Sequence, residues 1–154
     1  MNDKTLKLCY DELELCISGY EKYRKVEDDS WANVSWKVNN YAIQFQNYSY
    51  DMMSYEVEGL RDELNKFITG EMKEFTCFVP IESAFKVRFY PKGDEYGMYY
   101  EDSDSTKLLE NKNAEIIVHP NDKIGALDEM VGVSFILDED DVKKLYEYLV
   151  KITK

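Results

Sequence analysis

Hydrophobic and polar residues alternate along much of the chain, and this alternation predicts β-strands. Three alternate hydrophobic residues precede Gly19, namely Leu13, Leu15 and Ile17. A period of two is typical of a half-buried strand. An earlier strand in the other phase is indicated by Leu6, Leu8 and Tyr10. The first twenty residues therefore predict two short strands.

A β-hairpin is predicted next. Trp36 and Val38 alternate up to the pair Asn39-Asn40, and the alternation resumes at Tyr41, Ile43 and Phe45. Because asparagine tolerates the positive φ of a type I′ turn, the two asparagines are expected to form a two-residue turn. Trp31 and Val34 are three positions apart, which indicates a bulge or an entry kink in the first strand. Both tryptophans are interpreted as core or sheet-packing residues.

Spacings of three and four predict a central helix over residues 53–69. The hydrophobic residues on its inner face are Met53, Val57, Leu60, Leu64, Phe67 and Ile68. Asp51 or Ser54 is expected to cap the start, and Gly70 lies where a left-handed C-cap residue belongs. The charged residues of the opposite face, which include Glu56, are interpreted as a solvated surface.

The second half of the chain returns to strands and closes with a helix. Four strands are predicted, at residues 75–79, 85–89, 114–118 and 131–137. The inward residues of the first are expected to be Phe75, Cys77 and Val79. Helix 139–153 follows, with Asp138 as its N-cap and Asp141 at the capping-box position. Its buried stripe is expected to be Val142, Leu145, Leu149 and Ile152, broadened by Tyr146. The four consecutive acids of residues 138–141 are explained by helix initiation.

This order of elements predicts the fold class. Strands, a helix, more strands and a last helix indicate an α+β protein, with a largely antiparallel sheet of about six to eight strands and two amphipathic helices. A chain of 154 residues fits one domain over residues 1–154. No apolar run of ~18 residues could span a bilayer, and residues 1–4 lack the order of a secretory signal. We therefore expect a cytoplasmic protein with no membrane partner.

Candidate catalytic and metal-binding residues are few. The three cysteines, Cys9, Cys16 and Cys77, form no Cys-x-x-Cys pair and are interpreted as reduced side chains in or near strands. The one histidine, His119, has no serine or cysteine nucleophile in a recognisable sequence context. No glycine-rich phosphate loop occurs. We predict no catalytic, cofactor or metal site, and an enzyme that uses only carboxylates stays open as an alternative.

The formal net charge of −12 disfavours nucleic-acid binding, because phosphates would be repelled. A basic protein partner is the natural complement, although an acidic balance also serves solubility. The 13 tyrosines are many for this length, and tyrosine is enriched at protein interfaces. Tyrosines and acids combine in one segment, where the candidate partner-binding residues are Asp94, Glu95, Tyr96, Tyr99, Tyr100, Glu101, Asp102 and Asp104. A strand packed on the core is the open alternative for this segment.

Several segments resemble the WapI family of bacterial immunity proteins. Residues 13–21 (LELCISGYE) and 28–38 (DDSWANVSWKV) are similar to the opening of that family, which shows a short strand ending in glycine, an acidic loop and an aspartate two residues before a tryptophan. The similarity continues through residues 60–70 (LRDELNKFITG). It resumes at Phe75, Pro80 and Phe85, and again from Val131 to the end. Val79 stands where the family pattern has an acid, and residues 91–130 match no part of that pattern.

The resemblance implies a non-enzymatic, cytosolic inhibitor that binds the toxic C-terminal domain of a cognate secreted polymorphic toxin, often a nuclease. No catalytic residue carries over. An acidic protein in a basic nuclease cleft would speed encounter through complementary charge. Two alternatives stay open, a binding or scaffold domain with no toxin partner and, third, the carboxylate-dependent enzyme.

Overall fold

A computed structural model describes residues 5–22, 31–40, 43–82, 85–91, 113–119 and 132–154. Within these ranges the chain forms eight strands and two helices. In chain order they are β1 (Thr5–Leu8), β2 (Leu13–Ser18), β3 (Trp31–Asn39), β4 (Gln44–Met53), α1 (Ser54–Thr69), β5 (Thr76–Phe78), β6 (Phe85–Tyr90), β7 (Asn113–Val118), β8 (Val133–Leu137) and α2 (Glu139–Ile152). No helix in these ranges is both long enough and apolar enough to cross a membrane.

The strands form two antiparallel sheets of four, in the orders β1-β2-β3-β4 and β5-β6-β7-β8. Every strand pairs with its neighbour in sequence, so each sheet is a simple meander. The α+β class and the antiparallel pairing predicted from the sequence are confirmed. The strands divide between two sheets because α1 interrupts the chain after β4.

Both sheets and both helices contribute to one hydrophobic core. Trp36 of the first sheet meets Phe85 of the second, with ring centroids 5.0 Å apart and planes inclined by 57°. From α1, Phe67 reaches Phe89 of the second sheet, with centroids 5.3 Å apart. Tilted aromatic pairs at such distances stabilise beyond the area that they bury. Aromatic contacts therefore join the two sheets to each other and to α1.

An irregularity in the first sheet lies in β4. Val34 pairs with Tyr50 and Trp36 pairs with Asn47, so two steps along β3 correspond to three along β4. The bulge predicted in β3 from the spacing of Trp31 and Val34 is therefore wrong in its position. Trp31 itself is 39% exposed, on the opposite face of β3 from the fully buried Trp36. Trp36 is therefore a core residue, whereas Trp31 lies outside the core and its interpretation as a sheet-packing residue stays a prediction.

The hairpin of β3 and β4 is confirmed, but its two-residue turn is wrong. Asn39 pairs with Gln44, so the connection runs from Asn40 to Ile43. The amide of Asn40 donates to the carbonyl of Ile43 at 3.1 Å. In return, Oδ1 of Asn40 accepts a bond from the amide of Ile43 at 2.7 Å. The asparagine thus closes a wider loop through its side chain, and neither Asn39 nor Asn40 has a positive φ.

Helix α1 begins one residue after the predicted start, ends at the predicted Thr69 and has a different N-cap. The cap is Met53, whose amide donates to Oε1 of Glu56 at 3.0 Å. Oε2 of the same carboxylate accepts from the amide of Ile81 at 2.7 Å. Glu56 is therefore buried, and its assignment to the solvated face is wrong. Ser54, one of the two predicted caps, is instead the buried first residue of the helix.

The chain leaves α1 through Gly70, whose φ of 80° confirms the left-handed C-cap. The short strand β5 then has the opposite phase to the one predicted. Phe78 packs against the core, whereas Cys77 and Val79 are exposed. Aromatic residues occur in both phases of this segment, and the ring of Phe78 faces Phe85 at 6.4 Å between centroids. That contact decides which side of β5 is buried.

Helix α2 begins as predicted, because Oδ1 of Asp138 accepts the amide of Asp141 at 2.8 Å. The predicted stripe is confirmed by the buried Val142, Leu145 and Leu149, with Ile152 and Tyr146 partly buried against the core. The stripe also contains Tyr148, which sequence reasoning missed. Its buried hydroxyl accepts a bond from the amide of Ile17 at 2.9 Å. This bond ties α2 to the backbone of β2.

Candidate functional site

The partner-binding residues predicted from the sequence, which fall within residues 94–104, lie outside the described residues. They therefore stay a prediction. In the described ranges, no group of three or more His, Cys, Asp and Glu side chains is arranged to hold a metal ion. The geometry that can be described lies elsewhere, where the β1–β2 turn meets the start of α2.

The β1–β2 turn has an unusual backbone. Cys9, Tyr10 and Asp11 have φ angles of 54°, 56° and 64°. The left-handed conformation costs an L-amino acid about 1–2 kcal/mol, and aspartate tolerates it better than tyrosine does. Three such residues in succession persist only where the surrounding structure holds them.

Three backbone amides hold this turn. The amide of Glu12 donates to the carbonyl of Cys9 at 3.1 Å, and the amide of Asn39 donates to the carbonyl of Glu12 at 2.9 Å. From the far end of the chain, Oδ1 of Asp141 accepts the amide of Cys9 at 3.2 Å. The thiol of Cys9 also lies 3.8 Å from the carbonyl oxygen of Ile136. The turn is thus fixed by β3, by β8 and by α2.

Burial shifts the pKa of two side chains at this junction. Burial raises the pKa of Asp141, the amide of Cys9 lowers it in part, and the charge of Asp138 raises it again. For the thiol of Cys9, burial and then the charges of Asp141 and Asp138 raise the pKa to about 12. A thiol with so high a pKa stays protonated and is a poor nucleophile. Cys9 is therefore a packing residue.

The turn displays Tyr10. Its side chain is 97% exposed, more than any other large hydrophobic residue of the described chain. A concavity of about 120 Å³ lies beside it, and its lining includes Asp11, Asp138 and Asp140. A tyrosine on a fixed backbone offers a large contact area at a low entropic cost. The turn therefore presents an aromatic side chain among carboxylates.

Two lysines beside this turn already have acidic partners. Nζ of Lys144 lies 2.8 Å from a carboxylate oxygen of Asp140. Nζ of Lys7 lies 3.8 Å from Glu14. Because these cations are locally neutralised, Asp11 and Asp138 leave the surface around the turn with a negative balance.

A larger groove, with a volume of about 390 Å³, lies on the other side of the first turn of α2. Its apolar lining comes from both helices and from the end of β8, through Phe67, Ile68, Leu137 and Val142. Its polar lining includes Asp138, Glu139 and Lys143, and Asp138 borders the smaller concavity as well. The two concavities are therefore neighbours. We call the turn of residues 9–12, the first turn of α2 and this groove the Tyr10 face.

The outer face of the second sheet carries an ion pair between a half-buried arginine and a buried glutamate. Arg88 and Glu115 are register partners, and Nη1 of Arg88 lies 3.3 Å from Oε1 of Glu115. The hydroxyl of Ser134 donates to Oε2 at 2.8 Å. Burial lowers the pKa of Arg88, but the charge of Glu115 together with the interactions with Tyr90 and Cys77 outweighs burial, and the pKa is raised. This network satisfies a carboxylate that the sheet buries, so its role is structural.

His119, the one candidate general base, is buried at the end of β7. Its ring lies close to Gly132, where an added Cβ would stand 3.1 Å from the ring atoms Cε1 and Nδ1. The imidazole is thus enclosed by packing on this side.

Sequence reasoning missed the Tyr10 face. Tyr10 was expected to continue the alternation of Leu6 and Leu8, but β1 ends at Leu8. The available signal was the polar pair Asp11-Glu12 between two strand patterns, since such residues mark turns. That signal places Tyr10 at a turn. It does not predict the left-handed backbone.

The described architecture is that of an acidic α+β protein with two four-stranded antiparallel sheets and an aromatic side chain displayed beside an acidic helix start. Residues 8–154 match the model of the immunity protein WapI-like family, and the chain belongs to that family. Membership gives the chain a role in immunity to a toxin, with the cognate toxin as its partner. The match also covers residues 91–130, where the sequence alone showed no resemblance. No curated protein and no solved structure is significantly similar to the chain.

Proposed function

We propose that this chain is a non-enzymatic, cytoplasmic immunity protein that neutralises the toxic C-terminal domain of a cognate secreted toxin by binding it. The family match over residues 8–154 carries the proposal, because immunity proteins act by binding their toxin. The net charge of −12 supports a basic toxin domain. Complementary charge speeds the encounter and penalises wrong partners.

A nuclease domain fits this description of the partner. A surface that binds nucleic acid must neutralise phosphates and is therefore basic. An acidic protein can occupy such a surface in place of the nucleic acid, and the same charge keeps the immunity protein itself away from nucleic acid. The tyrosines and acids of residues 94–104 are proposed as one contact region, since tyrosine is a common anchor at interfaces.

Co-expression tests the function. The toxin domain encoded immediately upstream of this gene would be expressed with and without the immunity protein. We expect the wild-type protein to restore growth and to co-purify with the toxin domain. If the wild-type protein neither restores growth nor co-purifies, the proposal is wrong.

A charge-reversed pair tests the proposed contact region. Glu101→Lys together with Asp102→Lys should weaken rescue and co-purification, because both side chains would then repel a basic partner. The matched control is Glu71→Lys with Glu82→Lys, which makes the same change in net charge at two exposed residues elsewhere. If both pairs weaken binding equally, only the net charge matters and residues 101 and 102 are not contacts.

A further inference from the structure

We propose that the toxin domain docks on the Tyr10 face, with Tyr10 as an anchor residue and the 390 Å³ groove as the receptor for a basic side chain of the toxin. This docking site rests on the proposed function and gives it a location among the described residues. It contains none of residues 94–104, and we propose it as a contact in addition to them.

The choice of tyrosine at position 10 is not explained by the fold. Glycine or asparagine would adopt a φ of 56° at lower cost than tyrosine does. The ring returns little packing energy to its own chain, because the side chain is 97% exposed. A residue that strains the backbone and packs so little against the described part of its own chain is explained by contact with another molecule.

The turn is also held in place before any partner arrives. Asp141 accepts the amide of Cys9 at 3.2 Å, and the carbonyl of Glu12 accepts the amide of Asn39 at 2.9 Å. Tyr10 lies between these two fixed ends. An anchor on a fixed backbone loses little entropy on binding, which is the condition under which one exposed tyrosine contributes strongly to affinity.

The groove beside this anchor fits a long basic side chain. Its apolar lining from Phe67, Ile68 and Val142 matches the methylene stem of an arginine. The carboxylate of Glu139, whose side chain is 87% exposed, lies on the same groove and can pair with the guanidinium. Because Asp138 borders both concavities, anchor and groove form one surface with the charge that a basic partner requires.

The first test removes the tyrosine without harming the turn. Tyr10→Asn keeps a residue that tolerates a left-handed backbone, so its thermal midpoint should equal or exceed that of the wild type. Its affinity for the purified toxin domain encoded immediately upstream should fall about 30-fold, the loss typical of a hot-spot residue. Titration calorimetry measures the affinity of the wild type and of the variant for the toxin domain. The control is Tyr55→Ala, at a 45% exposed tyrosine of α1, which should change affinity less than about 2-fold.

The second test uses an ion pair on the groove. Nζ of Lys143 lies 3.1 Å from Oε1 of Glu139, so Glu139→Gln and Lys143→Gln break the same surface pair. Binding should nevertheless change in opposite directions. Glu139→Gln should lower the affinity for a basic partner about 3-fold, and Lys143→Gln should raise that affinity by a similar factor. Equal effects of the same sign would contradict a basic occupant.

The outcomes separate this proposal from the proposed function. If the wild type binds the toxin domain and Tyr10→Asn binds it equally well, the docking site is wrong while the function stands. If the wild type does not bind at all, the proposed function fails and the docking site fails with it. If the wild type is a dimer by light scattering and Tyr10→Asn is a monomer, the occupant is a second copy of this chain and the proposal is overturned.

Discussion

The amide of Cys9 donates a hydrogen bond to Oδ1 of Asp141 across 3.2 Å, although the two residues are 132 positions apart. The amide of Asp141 in turn donates to Oδ1 of Asp138, the N-cap of α2. The start of the last helix therefore holds the first hairpin turn of the chain. Because that turn displays Tyr10, the position of the exposed ring depends on Asp141.

Removal of the Asp141 carboxylate should destabilise the protein. In Asp141→Ala the buried amide of Cys9 loses its acceptor, which typically costs about 1–3 kcal/mol of unfolding free energy. Asp141→Asn retains Oδ1 as an acceptor and should lose less. Urea unfolding followed by tryptophan fluorescence measures all variants. The control is Asp140→Ala, at an exposed neighbour in the same helical turn, which should stay within about 0.5 kcal/mol of the wild type. An equal loss in Asp140→Ala and Asp141→Ala would contradict a specific role for the bond to Cys9.

The same carboxyl group should make stability depend on pH. Burial raises the pKa of Asp141 in the folded chain above its ordinary value of 3.8. The folded state then holds the proton more tightly than the unfolded state, so this group favours folding at low pH. That contribution is lost as the pH rises from 3.8 through the raised pKa.

Asp141→Asn carries no titrating group at this position and isolates the effect. We expect the unfolding free energy of Asp141→Asn minus that of the wild type to increase as the pH rises from about 4 towards neutrality. Urea unfolding of both proteins over a pH series measures this difference. A difference that stays constant, or that decreases with rising pH, would show that the pKa of Asp141 is not raised.

The hydroxyl of Tyr148 should contribute to stability through its bond to the backbone of β2. It accepts the amide of Ile17 at 2.9 Å, and burial raises the pKa of Tyr148 to about 12, so the hydroxyl stays protonated near neutral pH. Tyr148→Phe leaves that buried amide without its acceptor, and we expect a loss of about 1–3 kcal/mol in unfolding free energy. Tyr146→Phe removes a hydroxyl from the same helix at a partly buried residue and should cost less than about 0.5 kcal/mol. Equal stability of the two variants would mean that the bond contributes nothing measurable.

Elements with local signals could be predicted from the sequence. Asp138 caps α2 through its own side chain, and Gly70 ends α1 through its own backbone freedom. Both signals lie within one turn of the helix end that they define. The alternation of β2, β3 and β6 is equally local, because the period of two follows from strand geometry. These elements were placed correctly for that reason.

Features that depend on distant partners could not be predicted. Glu56 has the charge of a surface residue, but the amides of Met53 and Ile81 satisfy it inside the protein. Tyr148 interrupts a hydrophobic stripe with a polar atom, and its partner Ile17 lies 131 positions away. A single sequence contains no signal for such pairs.

The candidate site divides in the same way. Tyrosines and acids at residues 94–104 were selected by composition, and they stay a prediction because they lie outside the described residues. The Tyr10 face was missed because its shape depends on the distant bond from Cys9 to Asp141. Composition marks residues that suit an interface, whereas only the fold shows which of them are held in position.

Two glycines provide a last prediction, because an added methyl group would meet opposite surroundings. At Gly132 a Cβ would stand 2.7 Å from Cγ2 of Ile117, a contact that real Cβ atoms do not make. At Gly59 the nearest atom is Cε2 of Phe78 at 3.9 Å, an ordinary van der Waals distance. Gly59 also lies inside α1, where alanine is preferred to glycine by about 0.5–1 kcal/mol.

We therefore expect opposite effects of the same substitution. Gly59→Ala should raise the unfolding free energy by about 0.5–1 kcal/mol. For a chain of this size, Tm rises by about 2–4 °C for each kcal/mol of added stability. Gly132→Ala should lower it by about 1–3 kcal/mol, because the β-branched side chain of Ile117 must move within a packed sheet. Thermal unfolding followed by circular dichroism measures the stability of both variants. Each variant is the control of the other, since both add one methyl group, and changes of the same sign in both would contradict the close approach of Gly132 to Ile117.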